Sequence, residues 1–322
     1  MERVVREKSV RCKRRGAARP VGGASRVGSP GRLGRLRGGH LALALATLLT
    51  LGPGPAAGGG PARVVSLAPS ITEIVYALGA GDRLVGVCGH CNHPAAARRL
   101  PRVGGFLSPS VEVVVAARPD LVLAVPSPGN REAVRALART GLPVVVVADR
   151  TLADLWASIE RIATVLGDPA AGPALVARVQ AELAAVQASV AQRPRARVLL
   201  VVGHRPLIVA GAGTLQDELV GIAGGRNVAA DAGTTWPQLS MEVVIARRPD
   251  VILDSAMGTE AGGERLFASL LQAGEGGPRL VPMASDTLLR AGPRVGQAAR
   301  ALARAIHPDL TVPALDSPAL EP

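Results

Sequence analysis

Aromatic side chains are nearly missing from this 322-residue chain: two Trp, two Phe and one Tyr supply its 2% aromatic content. Cysteine is as scarce, at three, and both lysines fall within the first 13 residues. Three cysteines exclude a disulfide-built miniprotein, and 48% hydrophobic residues exclude a disordered chain. The net charge of +12 belongs almost wholly to one end, because the first 40 residues hold 12 Lys or Arg against two Glu, or +10. Nucleic-acid binding needs cations spread over a folded face. A nearly neutral remainder with few aromatics argues against it.

Long apolar runs are missing as well. The run Leu41 to Leu51, LALALATLLTL, has 11 residues, whereas a spanning helix needs about 20. Preceded by the basic stretch and followed by GPGPAAGGGPA, it reads as the h-region of an export signal over 1–57, with cleavage near Ala56 or Ala57 and an unusually long n-region. Its length suggests an alternative start near Val27, and the pair Arg14-Arg15 lies too far from the h-region to be a strong twin-arginine signal. No cysteine follows the h-region, so no lipid anchor is indicated, and Cys12 leaves with the leader. The mature chain is expected to be soluble in the periplasm or on the exterior of the cell envelope.

Short β-branched runs (RVVSLA, RLVGVC, DLVLAV, PVVVVA) alternate with helical patterns (ITEIVYALG, SVEVVVAARP, NREAVRALARTG, TLADLWASIERIATVLG). This alternation predicts parallel strands joined by crossover helices. An Ala-rich helix is expected from Asp168 to Gln192, after which strand and helix alternate again from Arg197. The fold class is therefore α/β, with two parallel-sheet lobes at 62–167 and 195–307, a single long connecting helix at 168–193 and a tail at 308–322. Trp156, on an apolar stripe with Leu152, Leu155 and Ile159, is expected in the core.

An internal repeat aligns SPSVEVVVAARPDLVLA (Ser108 to Ala124) with QLSMEVVIARRPDVILD (Gln238 to Asp254). Each copy reads as a helix capped by Ser110 or Ser240, with Glu112 or Glu242 complementing its dipole, ended by Arg-Pro-Asp and feeding a strand. Capping accounts for either copy alone. It does not account for Phe106 and Trp236, each six residues before its glutamate. Ligands of parallel sheets collect beyond the carboxyl ends of strands, so the two rings either face a large flat ligand from opposite cleft walls or pack within their own lobes. Ser70 and Glu73 read as a capping box opening the first helix.

RVVSLAPSITEIVYALGAGDRLVGV, CNHP, the VGG…E…RPDLVLA block, GAGTLQDELVGIAGGRN, WPQLSMEVV and SDTLLRAGPRV, in this order, resemble the substrate-binding proteins of cobalamin and iron-siderophore ABC importers. WPQLSMEVV is most similar to the cobalamin branch. The resemblance implies a monomeric, helical-backbone periplasmic binding protein that captures cobalamin or a related corrinoid as cargo, without a prosthetic group or catalysis. It implies ligand contacts from His93, Phe106, Trp236, Asp286 and Arg290, and docking of Glu112 and Glu242 into arginine pockets of a permease dimer driven by ATPase subunits. Asp286 and Arg290 also read as a plain salt bridge. His93 stands where the branch has a stacking tyrosine, Phe106 where it has a tryptophan, and no aromatic lies near Pro126. A different corrinoid, a haem or a ferric siderophore therefore stays open as the ligand.

Cys88-Gly-His90-Cys91-Asn-His93 allows three readings: a disulfide or inert thiols, a ligand contact through His93, or a metal centre built from Cys88, His90, Cys91 and His93. A single tight loop without a second ligand pair disfavours the metal. A chelatase-like enzyme using His90, His93, His204 and Asp286, or a redox protein using the cysteines, is the rival class. No nucleophile elbow, P-loop, dinucleotide fingerprint or HExxH occurs.

Overall fold

A computed structural model describes residues 59–256, 261–272 and 277–310; the expected export signal and most of the tail lie outside these residues. The first lobe runs β1 (Val64–Ser66), α1 (Pro69–Ala77), β2 (Leu84–Val87), α2 (Val111–Ala116), β3 (Leu121–Ala124), α3 (Arg131–Arg139) and β4 (Val144–Val146). Its strands form an all-parallel sheet in the order β2-β1-β3-β4. The chain then passes through α4 (Leu152–Val165) and α5 (Ala171–Val190). Thr151 caps α4 by accepting the Asp154 N–H at 3.1 Å. Gly167, at φ 89°, makes the left-handed turn out of α4.

The second lobe contains β5 (Ala196–His204), β6 (Leu207–Val209), α6 (Leu215–Ile222), β7 (Gly225–Asn227), α7 (Met241–Arg247), β8 (Val251–Asp254), α8 (Ala261–Leu266), α9 (Ala268–Leu271), β9 (Arg279–Pro282), α10 (Ser285–Leu288) and α11 (Val295–Ile306). Strands β7, β8 and β9 extend the sheet in parallel, but β6 runs antiparallel to β5. Only two residues, Arg205 and Pro206, join that pair, and so tight a link leaves no room for a crossover.

One buried cluster runs through both lobes: Ile71 and Ile74 of α1, Leu155 and Ile159 of α4, Val176, Val179 and Leu183 of α5, Leu219 of α6 and Leu302 of α11 belong to it. Trp156 packs on this cluster from its edge. The outer sheet faces are covered separately, by Val114 of α2 in the first lobe and Val244 of α7 in the second, with the fully buried Phe267 also in the latter layer. Apolar burial is thus shared across the lobes through the helical layer, which resists large displacement of one lobe against the other.

The repeat is realised in atomic detail. Positions 111–120 and 241–250 have the same pattern of burial, residue for residue. Arg118 and Arg248, ending α2 and α7, are left-handed at φ 46° and 44°, a conformation sparsely populated outside glycine. The residues around each are tied to the start of the first strand of the same lobe. Asp120 accepts the N–H groups of Ala62 and Arg63 at 3.0 and 2.9 Å, and Asp250 accepts that of Arg197 at 2.7 Å. The Arg63 guanidinium donates to the carbonyls of Ala117 and Arg118, and Arg197 donates to that of Arg247. Ala117 and Arg118 directly follow α2 and Arg247 is the last residue of α7, so both guanidinium groups sit at helix C-termini, where cations are favoured.

Candidate functional site

Four strand ends converge on a cleft of about 530 Å³ between the lobes. The turn after β1 brings Pro69 and Ser70, the loop after β2 brings His90, the segment after β4 brings Asp149, and the stretch after β9 brings Ser285 to Ala291. Phe106 and Leu107 form an apolar wall, and Leu289 and Pro69 add to it. Carboxyl ends of parallel strands and helix starts surround the space, as expected for a ligand site of this class.

A buried ion cluster closes one side of the cleft. Glu73 on α1 is 1% exposed and receives Arg294 through Nε at 2.9 Å and Nη2 at 2.6 Å, and Arg290 Nη1 at 3.1 Å. Arg290 also donates to Asn92 Oδ1 at 2.7 Å and the His90 carbonyl at 3.2 Å, and pairs with Asp286 at 2.9 Å. Asn92 Nδ2 in turn donates to Asp286 at 2.6 Å. Residues of the two lobes are thereby cross-bonded. Near the start of α4 the chain is tied to α6, by Leu215 N–H to the Arg150 carbonyl at 2.6 Å and Leu152 N–H to Glu218 at 2.6 Å.

Of the ligand-contact residues expected from the sequence, Phe106, Asp286 and Arg290 line the cleft together. His93 does not line it. Its half-buried ring sits where burial, and next the positive charge of Arg294, hold its pKa below the usual imidazole value. His90, two residues earlier, is the histidine that reaches the cleft. Trp236 is 46% exposed on the loop leading to Pro237 and is not among the lining residues. Glu73 does not close a capping box: Pro69 starts α1, Ala68 is its N-cap without a side-chain bond, and the carboxylate goes to the two arginines.

Asp149 is a cleft residue that the sequence reading did not single out. Burial, and then the nearby charge of Asp154, push its carboxyl up to about 6, with Arg150 opposing. An acid just beyond the VVVVA strand was the available signal.

Glu112 and Glu242 are exposed in the first turns of α2 and α7 and are not among the residues lining the cleft. Ser110 caps α2 through the Val113 N–H at 3.3 Å. Ser240 makes its bond to the Glu242 carboxylate instead, which lowers that group's pKa. Each glutamate is flanked by exposed apolar side chains: Val113 and Val115 in one lobe, Val243 and Ile245 in the other.

Cys88 and Cys91 are buried thiols with sulphurs 2.8 Å apart. Their mutual bond lowers the pKa of Cys88, whereas that bond and burial raise that of Cys91. No group of three or more metal-capable side chains occurs among the described residues. His204 bonds Asp254 at 2.9 Å and does not line the cleft, so the acid-base set His90, His93, His204 and Asp286 is not assembled there.

Two α/β lobes on a continuous helical layer, with a ligand-sized cleft between them, define a binding protein of the two-lobed type. Residues 64–271 match the family model described as periplasmic binding protein. The chain belongs to that family. It is 32% identical over 265 residues to a vitamin B12-binding protein of Yersinia pestis, covering 81% of this chain and 90% of that one. Among solved structures it is similar to the periplasmic vitamin B12 binding protein BtuF of Vibrio cholerae, at 25% identity and TM-score 0.65 over 76% of this chain and 96% of that one. It is also similar to the periplasmic heme-binding protein RhuT of Roseiflexus sp. RS-1, at 33% identity and TM-score 0.65 over 77% and 99%. No helix among the described residues is long and apolar enough to cross a membrane.

Proposed function

We propose that this protein is the exported substrate-binding component of an ABC importer and that its cargo is cobalamin or a related corrinoid. The observation that carries the choice of cargo is the state of Arg290. Among the described lining residues it is the only cation, and it is engaged by Glu73, Asn92, Asp286 and the His90 carbonyl. The other charged groups on the lining are Asp149 and Asp286. A haem with two propionates, or a carboxylate-bearing siderophore, meets two like charges there and no uncommitted cation, which disfavours it. Corrin side-chain carboxamides are neutral and offer N–H donors, which Asp286, Asp149 and the Ser108 and Ser285 hydroxyls are suited to accept. Phe106, Leu107 and Leu289 supply the apolar surface against which a macrocycle lies.

A second reading has its own observation. The His90 imidazole on the cleft wall is a donor suited to the iron of haem, and the likeness to a haem-binding protein is in line with it. Gel filtration of the exported protein with cobalamin or haemin separates the two. Co-elution of corrin absorbance supports the proposal; co-elution of haemin alone replaces it by the second reading.

In this account the cleft is largely preformed, because the ion cluster at Glu73 and the ties near α4 restrict lobe motion. Glu112 and Glu242 then seat one lobe each on a dimeric permease, and separation of the lobes by the ATP-driven transporter releases the ligand. The chain acts as a monomer and carries out no chemistry on its cargo.

A further inference from the structure

Cys88 and Cys91 take no part in the binding site just described, although the loop between them carries His90 into the cleft. That loop is fastened on every side. Cys88 N–H donates to the Ser66 carbonyl at 3.0 Å, and Cys91 N–H closes a turn onto the Cys88 carbonyl at 3.0 Å. Arg102 donates to the carbonyls of Cys88 and Cys91 at 3.1 and 2.8 Å. Arg290 holds the His90 carbonyl, and Arg98 holds that of Asn92 at 2.9 Å. With the backbone fixed, the two side chains converge, and their sulphurs stand 2.8 Å apart at 0% and 1% residue exposure. Among the described residues, the other polar side chain bonded to either sulphur is Thr72, whose hydroxyl donates to Cys91 Sγ at 3.2 Å. No metal-capable cluster surrounds the pair among the described residues.

We propose that Cys88 and Cys91 are a disulfide in the mature exported protein, closing a staple across the turn that presents His90 to the cleft. A disulfide has its sulphurs at about 2.05 Å, so closure moves each by roughly 0.4 Å. The thiolate of one cysteine attacks the disulfide of an envelope thiol oxidant, giving a mixed disulfide and releasing one oxidant thiol. The second cysteine, as thiolate, attacks the sulphur of the first and releases the other. Two S–H bonds are lost and one S–S bond forms; the oxidant gains two electrons and, with the two protons, becomes a dithiol. Because the folded chain buries both sulphurs, this exchange occurs on the chain before the lobe closes over them. The proposal rests on export and is independent of which ligand is carried.

Trypsin releases Leu84 to Arg98 as one peptide, which holds both residues and excludes Cys12. The full-length chain is expressed with its own leader in cells with an oxidising envelope, and the exported protein is denatured in excess N-ethylmaleimide without reductant and digested. The expected peptide carries no adduct and weighs two hydrogens less than the dithiol form, and it takes two adducts when reductant precedes the reagent. A peptide with two adducts in the unreduced sample, or one capped by a small thiol, overturns the proposal. Corrinoid binding measured on the same preparation reports separately on the ligand reading.

Discussion

Replacing Glu73 with glutamine tests whether the lobes are held by a buried ion cluster. The carboxylate is 1% exposed, and the guanidinium groups it pairs with, on Arg290 and Arg294, are 11% and 13% exposed in their side chains. Removing one partner of a buried ion pair costs about 3–5 kcal/mol, because the remaining charge stays desolvated. Here Arg290 keeps Asp286 as a partner at 2.9 Å, so the loss should fall at the lower end, about 3 kcal/mol. For a domain of this size each kcal/mol lowers the melting temperature by about 2–4 °C. Thermal unfolding of the exported protein should therefore show a fall of roughly 6–12 °C in E73Q. Amide exchange should accelerate first in α1, α10 and α11, the elements joined by the cluster. A melting temperature within about 1 °C of the parent would mean that the cluster is an ordinary surface network, and the account of a restrained cleft would fail.

Further outcomes follow from the same geometry. Asp149, raised from 3.8 to about 6 by burial, holds its proton more tightly in the folded chain. Its stabilising protonation is complete below about pH 4 and is lost as pH rises through about 6. The shift corresponds to at most ~3 kcal/mol, and partial exposure reduces that to about 1–2 kcal/mol. D149N should accordingly be more stable than the parent at pH 7.5 and equal to it at pH 4; denaturant melts at both pH values check the sign, and a parent more stable at pH 7.5 contradicts it. Glu112→Ala/Glu242→Ala, both exposed and outside the cleft lining, should leave ligand affinity intact. Two lost charge pairs at about 2 kcal/mol each should weaken permease association by about 1,000-fold. ATPase stimulation in proteoliposomes reads that loss, and lost ligand binding would refute the assignment.

Much of the architecture was legible because its signals are local. Pro119-Asp120 and Pro249-Asp250 mark helix ends, and the burial pattern that the repeat foretells depends on ten consecutive residues in each copy. The cleft was legible in part. Phe106, Asp286 and Arg290 came from motif position, but the role of Glu73 depends on partners 217 and 221 residues away, and its local setting suggested a helix cap instead. The resemblance implied His93 as the ligand contact, whereas His90 lines the cleft, a choice that rests on the course of the loop after β2 and not on residue type. Trp236 stands on a loop whose direction is set by Gly211, whose N–H donates to the Thr235 carbonyl at 2.9 Å. That contact is beyond any pattern in neighbouring residues.

The proposed cargo, a neutral, amide-rich macrocycle, follows from a cleft with no uncommitted cation among its described lining residues. Calorimetric titration of the exported protein with cobalamin and with haemin, at one pH and ionic strength, addresses it most directly. Saturable one-to-one binding of cobalamin, at least about 100-fold tighter than that of haemin, a difference of ~2.7 kcal/mol, is the expected result. Tighter binding of haemin would contradict it.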